Sequence, residues 1–90
     1  GKPELVALTA NLPTVAGKAQ DDASPITAID YTVDGGEWRP ATVADGILDQ
    51  RSESFSLRLP QLPAGPHVVT VRASDGADNV GTAKVVVTVK

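Results

Sequence analysis

From His67 onward the chain reads HVVTVRASDGADNVGTAKVVVTVK, and this run to Lys90 constrains the fold more than any other stretch. His67, Val69, Val71 and Ala73 alternate with Val68, Thr70, Arg72 and Ser74. A period of two places successive side chains on opposite faces of a β-strand. The segment SDGADNVG follows, rich in residues that accept turn geometries and hydrogen-bond their own backbone. Alternation then resumes, with Ala83, Val85, Val87 and Val89 on one face and Lys84, Val86, Thr88 and Lys90 on the other. A hairpin with one apolar and one wetter face is stable only when the apolar face is buried against a second sheet.

Ninety residues suffice for one domain, residues 1–90. A chain of this length buries somewhat over ~60% of its unfolded surface. Without cysteine, neither a disulfide nor a thiolate metal site can supplement the core. Tyr31, Trp38 and Phe55 are the only aromatic residues, so valine, leucine, isoleucine and alanine must fill the interior. Valine is abundant in the C-terminal half, where β-branching favours strands. No window offers a long apolar period of 3.6, and proline or glycine interrupts most candidates. The fold class expected is all-β.

Upstream, Glu4–Ala10 reads as a first strand whose register is ambiguous, because Leu5, Val6 and Leu8 fall on both faces. Asn11-Leu12-Pro13 reads as a turn, and Thr14–Gln20 as a strand whose small residues Gly17 and Ala19 imply a closely packed neighbour. Asp21 to Pro25 is a loop by composition. Ile26–Val33 is a strand with Ile29, Tyr31 and Val33 facing one way and Ala28, Asp30 and Thr32 the other. Asp34-Gly35-Gly36 turns the chain, since glycine reaches positive φ cheaply. Glu37–Ala41 can return as an edge strand, where Pro40 needs no N–H. Thr42–Glu53, containing Asp45-Gly46, reads as a connecting loop, and Ser54–Leu59 as a strand with Phe55, Leu57 and Leu59 inward. The expected interior is His67, Val69, Val71, Ala73, Val85, Val87, Phe55, Leu57, Ile29, Tyr31 and Val33. About seven short strands separated by turns match an immunoglobulin-like antiparallel β-sandwich.

The net charge is −3 and the basic residues are scattered. Nucleic-acid binding, which needs a basic patch or stripe, is therefore not expected. Nor is membrane insertion, since nothing approaches the ~20 apolar residues of a span. The chain contains no methionine, even at position 1, which suggests a segment of a longer protein or a processed product.

The run from Leu62 through Asp75 (LPAGPHVVTVRASD), followed by Asp78-Asn79-Val80-Gly81, resembles the last hairpin of bacterial immunoglobulin-like and fibronectin type III-like modules. Ile29 to Gly36 (IDYTVDGG) with Trp38 resembles the strand and turn that precede a tryptophan in those modules. The resemblance spans roughly residues 14–89. It implies a non-catalytic accessory unit of a larger secreted, cell-surface or periplasmic bacterial protein, one that spaces, orients or stabilises its neighbouring domains. Some such modules bind glycans, so a carbohydrate-binding module using edge residues near Trp38 is the alternative. Fibronectin type III domains commonly start this strand with a tyrosine whose hydroxyl ties back to the preceding loop. Here His67 stands in that slot, and its approach from Gly65 is one residue shorter.

No catalytic residue is expected. His67 is the lone histidine, and no serine lies in a Gly-x-Ser-x-Gly elbow. A strand-start histidine facing inward more simply donates a ring N–H to a carbonyl of the Pro60–Pro66 loop. The weak calcium candidates are Asp75, Asp78 and Asn79, with Asp21 and Asp22 in another loop. Asp-x-x-Asp-Asn lacks the alternating carboxylates and following glutamate of a calcium loop, so Asp75 and Asn79 are expected to shape the turn and no specific metal site is expected. Only three glutamates exist, all in strand-edge or loop contexts by this reading, which leaves no cleft-facing carboxylate pair for glycoside hydrolysis. Tyr31 has core parity. Trp38 reads as a lid over the sandwich, or as a ligand platform. No cofactor is expected.

Overall fold

The computed structural model describes residues 2–43, 46, 48 and 50–90. Four residues of the expected Thr42–Glu53 loop, Ala44, Asp45, Ile47 and Asp49, lie outside them. The described residues form eight strands: β1 (Glu4–Asn11), β2 (Thr14–Gln20), β3 (Ile26–Val33), β4 (Arg39–Pro40), β5 (Thr42–Val43), β6 (Ser52–Arg58), β7 (Gly65–Asp75) and β8 (Val80–Val89). They build two four-stranded sheets, β1-β2-β6-β5 and β4-β3-β7-β8, and every strand pair is antiparallel. The expected two-sheet all-β sandwich is the architecture observed, with one strand more than the turn spacing suggested.

That extra strand, β5, opens the segment expected as a connecting loop, Thr42–Glu53, directly after the expected edge strand Glu37–Ala41, of which Arg39–Pro40 forms β4. Arg39 and Pro40 pair with Tyr31 and Asp30 of β3, whereas Thr42 and Val43 pair with Ser56 and Phe55 of β6, in the opposite sheet. The chain thus crosses between sheets at Ala41, whose N–H still donates to Ile29 O at 2.9 Å. Pro40 suits the position because β4 is an edge and no N–H is needed on its open side. Likewise, the expected loop Thr42–Glu53 contains β5 and the first two residues of β6.

The interior follows β7. Val69, Val71 and Ala73 are fully buried beside Val15, Ala19 and Ile26, and Ile29, Tyr31, Phe55, Leu57, Leu59 and Val87 complete the buried core. Val33 and Val85 pack against it part-buried. The absence of Ile26 from the expected interior has a specific cause. The β3–β7 register shifts between Ile26 and Ala28, so that Ile26 faces Asp75 and Ala28 faces Ser74. One extra residue reverses parity, and Ile26 joins Ile29 on the same face. A bulge does the same in β1, between Val6 and Thr9, with Ala7 at φ 54°. Leu5 and Leu8, of opposite parity, therefore both reach the core, which resolves the ambiguity noted from sequence. Gly17 lies where a side chain would meet Leu8 and Phe55, in keeping with the small-residue face of β2.

Strand β7 is 11 residues long. At ~3.3 Å per residue it covers most of the molecule's 40 Å length. His67 and Asp75 consequently stand at opposite ends of one inward-facing row and close the hydrophobic column with polar groups.

Candidate functional site

Three clusters contain the chemistry-bearing residues singled out from sequence. The first surrounds His67. Asp34 opens the turn after β3 with φ 53°, and its N–H donates to Val68 O at 2.8 Å while its Oδ1 accepts from Val68 N–H at 2.9 Å. These two bonds fix the carboxylate, and Oδ2 then lies 2.6 Å from His67 Nδ1. On the far side of the ring, Nε2 lies 2.8 Å from Pro63 O. Both ring nitrogens therefore face oxygens that can only accept, and the imidazolium form satisfies both by donating twice. The bond to Asp34, then the bond to the Pro63 carbonyl, raises the His67 pKa above its ordinary value despite some desolvation. The bond from His67, then the Val68 amide, holds Asp34 below the usual carboxylate range. With both nitrogens donating, the ring keeps no lone pair with which to take a proton from a nucleophile. Asp34 had no role assigned from sequence beyond turning the chain. Its partner is contributed by a strand 33 residues further on.

The second cluster is the turn between β7 and β8. Asp75 is 3% exposed, with inward parity. Its Oδ1 accepts from Ala77 N–H at 2.9 Å and Asn79 N–H at 2.8 Å, and its Oδ2 from Asn79 Nδ2 at 3.2 Å. Burial pushes the carboxyl up. The Asn79 amide, Asp21, the Asn79 side chain and the Ala77 amide outweigh it and bring the pKa to about 2. Asp78 is exposed, at φ 64°, and its N–H donates to Asp75 O at 3.2 Å. The three residues weighed as calcium ligands thus form an Asx-type turn in which Asn79 is a donor to Asp75.

Trp38 lies just before the two-residue edge strand β4. It is 41% exposed, and the Arg72 guanidinium lies 3.9 Å from its ring centroid. Arg72 is opposite Asp30 in the β3–β7 register, with Nε 3.5 Å from Asp30 Oδ2. The expected lid is therefore an aromatic on the outer face of the second sheet, one ring face occupied by a cation. Tyr31 has its expected core position, 8% exposed between Arg39 and Val71 in register.

Sequence reasoning missed two buried carboxylates. Glu53 was assigned to a loop, but it belongs to β6, shares the inward parity of Phe55 and Leu57, and is 4% exposed. Its Oε2 accepts from Gln50 N–H at 3.1 Å. Asp21 is 7% exposed, and its Oδ1 accepts from Ala23 N–H at 2.8 Å and Ser24 N–H at 3.0 Å. The Asp-x-x-Ser phrase is a recognisable Asx-turn signal, but nothing local encodes burial.

No protein-family model matches the chain, and no curated protein matches it. Among solved structures, the PKD1 domain of Vibrio anguillarum Epp is similar over 100% of this chain and 95% of its own, with a TM-score of 0.63 at 14% identity. The sulfane dehydrogenase SoxCD from Paracoccus pantotrophus is similar over 88% of this chain, with a TM-score of 0.63 at 22% identity. This chain spans only 22% of that SoxCD chain. At these identities the likeness concerns fold, and the fold is an immunoglobulin-like β-sandwich.

Proposed function

We propose that this chain is a non-catalytic structural module of a larger exported bacterial protein, and that it spaces or orients the domains next to it. The observation that carries this reading is how the polar residues are used. His67 and Asp34 clasp two loops to β7, and Asp75 organises the β7–β8 turn. These groups fix backbone and leave the histidine no free nitrogen for proton transfer. The full-length similarity to the PKD1 domain, handled there as a separate unit, supports the reading. Among the described residues no helix is long and apolar enough to cross a membrane. The test is to express the flanking segments of the parent chain with and without this domain. Looser inter-domain geometry in small-angle scattering, or a lower melting temperature of a neighbour, is expected when it is deleted. Neighbours that keep both geometry and stability would refute a structural role.

A second reading, carbohydrate binding, draws on the exposed Trp38 indole on the outer sheet face. Arg72 already occupies one face of the ring, so a sugar would stack on the other or displace the guanidinium. A glycan array decides this: binding lost in Trp38→Ala would establish it, and an array without binding would dismiss it.

A further inference from the structure

Each of the two sheets ends in two edge strands, and an edge presents a row of N–H and C=O groups able to pair with another chain. Three of the four edges are blunted. Strand β1 carries a bulge with Ala7 at φ 54°, β4 is two residues long and contains Pro40, and β5 is two residues long. Strand β8 has none of these devices. It runs for 10 residues without proline and pairs with β7 along its whole length with no shift in register. Among the described residues no strand pairs with β8 on the side away from β7. The Pro3 backbone packs on Gly81 near the start of the strand, and Ala83 to Val89 lie beyond it. Apolar residues on both faces of that length are incompletely buried. On the outer face Val86 is 62% exposed, with Val68 39% exposed beside it in register, and on the inner face Ala83, Val85 and Val89 are half-buried.

We propose that β8 pairs antiparallel with β8 of a second copy of this chain, about a two-fold axis at Val86, joining two four-stranded sheets into one. A second copy is the occupant because the strand is complementary to itself in this register. Val86 meets its own counterpart and extends the Val68–Val86 row into a strip of four valines. Val85 then faces Val87, Ala83 faces Val89, and Lys84 faces Thr88, so no like charges are directly opposed. Neighbouring registers fit less well. An axis at Lys84 opposes two lysines, and an axis at Val87 sets Lys84 against Lys90. An axis at Val85 draws Gly81, with Pro3 packed on it, into the ladder opposite Val89. From Ala83 to Val89 the ladder is about 23 Å long at ~3.3 Å per residue, and it buries less than the ~1,200 Å² of a stable standard interface. The dimer is therefore weak and forms at high concentration. It does not depend on the spacer role proposed above.

Sedimentation equilibrium of this chain between about 10 µM and about 1 mM measures the association, and amide hydrogen exchange at both ends of that range locates it. A monomer–dimer equilibrium is expected, with exchange at residues 83–89 slowing as dimer forms. Val86→Lys sets two lysines against each other at an exposed site and should weaken the dimer about tenfold. Val86→Glu alone should do the same. An equimolar mixture of the two variants should restore the dimer, because opposite charges then meet at the axis. A wild type that stays monomeric at the highest concentration overturns the proposal. So does a dimer that Val86→Lys leaves intact, one whose added protection lies on another edge strand, or a mixture that associates no better than either variant alone. If Val86→Lys does not fold, Thr88→Lys, which faces Lys84, tests the same register: a weakened dimer supports it, and an unchanged one refutes it.

Discussion

His67 is held by two acceptors, and the sign of its pH dependence follows from them. Its folded pKa is raised, so its contribution is fully present below the ordinary imidazole value of about 6.5 and is lost as pH climbs through the folded value. Asp34 is lowered, so its contribution is present above about 3.9 and is lost as pH falls through its folded value. The pair is strongest between those limits. His67→Ala should therefore lower the melting temperature more at pH 5.5 than at pH 9, and an equal deficit at both would show that packing alone matters. At the centre of the core, Val71→Ala should cost roughly 1–3 kcal/mol in urea unfolding through lost burial and the residual cavity. Arg72→Ala removes a half-buried, solvent-accessible ion pair and the cation over Trp38, which together contribute about 1 kcal/mol or less. Its clearer readout is Trp38 fluorescence, which should change in intensity or wavelength while stability hardly moves.

Two elements, β1 and β3, carry bulges, and each puts residues of unlike parity on one face. The cost is an irregular ladder and, in β1, an alanine in the left-handed region. The return is burial of Leu8 and Ile26, respectively. Close packing around β1 also limits substitution in its neighbours. A Cβ on Gly17 would stand 2.7 Å from Leu8 Cδ2 and 3.1 Å from Phe55 Cζ. Gly17→Ala should cost about 1–3 kcal/mol by overpacking, and adding Leu8→Ala should recover part of it. Gly81, in β8, lies under the Pro3 carbonyl, where any side chain meets backbone. Gly81→Ala should displace the start of β1. Hydrogen exchange would then show lost protection over residues 4–6, with the β7–β8 ladder still protected.

At the scale of the molecule, the two sheets share one core centred on β7, with no disulfide to hold either sheet alone. Neither four-stranded sheet can bury its inner face without the other, so unfolding should be all-or-none. Far-ultraviolet circular dichroism and Trp38 fluorescence should give superimposable urea transitions, although Trp38 lies outside the core. A separate, earlier fluorescence transition would mean that the β4 edge unfolds on its own.

Alternation of apolar residues was enough to determine the strand class, the β7–β8 hairpin, the inward row from His67 to Ala73 and the sandwich itself. The pleat turns each residue by half a revolution, so a strand's two faces are written locally. His67 stands where similar modules carry a tyrosine at this corner, and its parity with Val69 and Val71 turns it inward. What only tertiary structure decided depends on partners distant in sequence. Bulges reverse parity because of what the opposite strand presents, as at Ile26 and Leu8. The crossing at Ala41 depends on two sheets already being in place. Asp34 meets His67 across a separation that no local period encodes, because loop ends are brought together by the packing of the sheets beneath them.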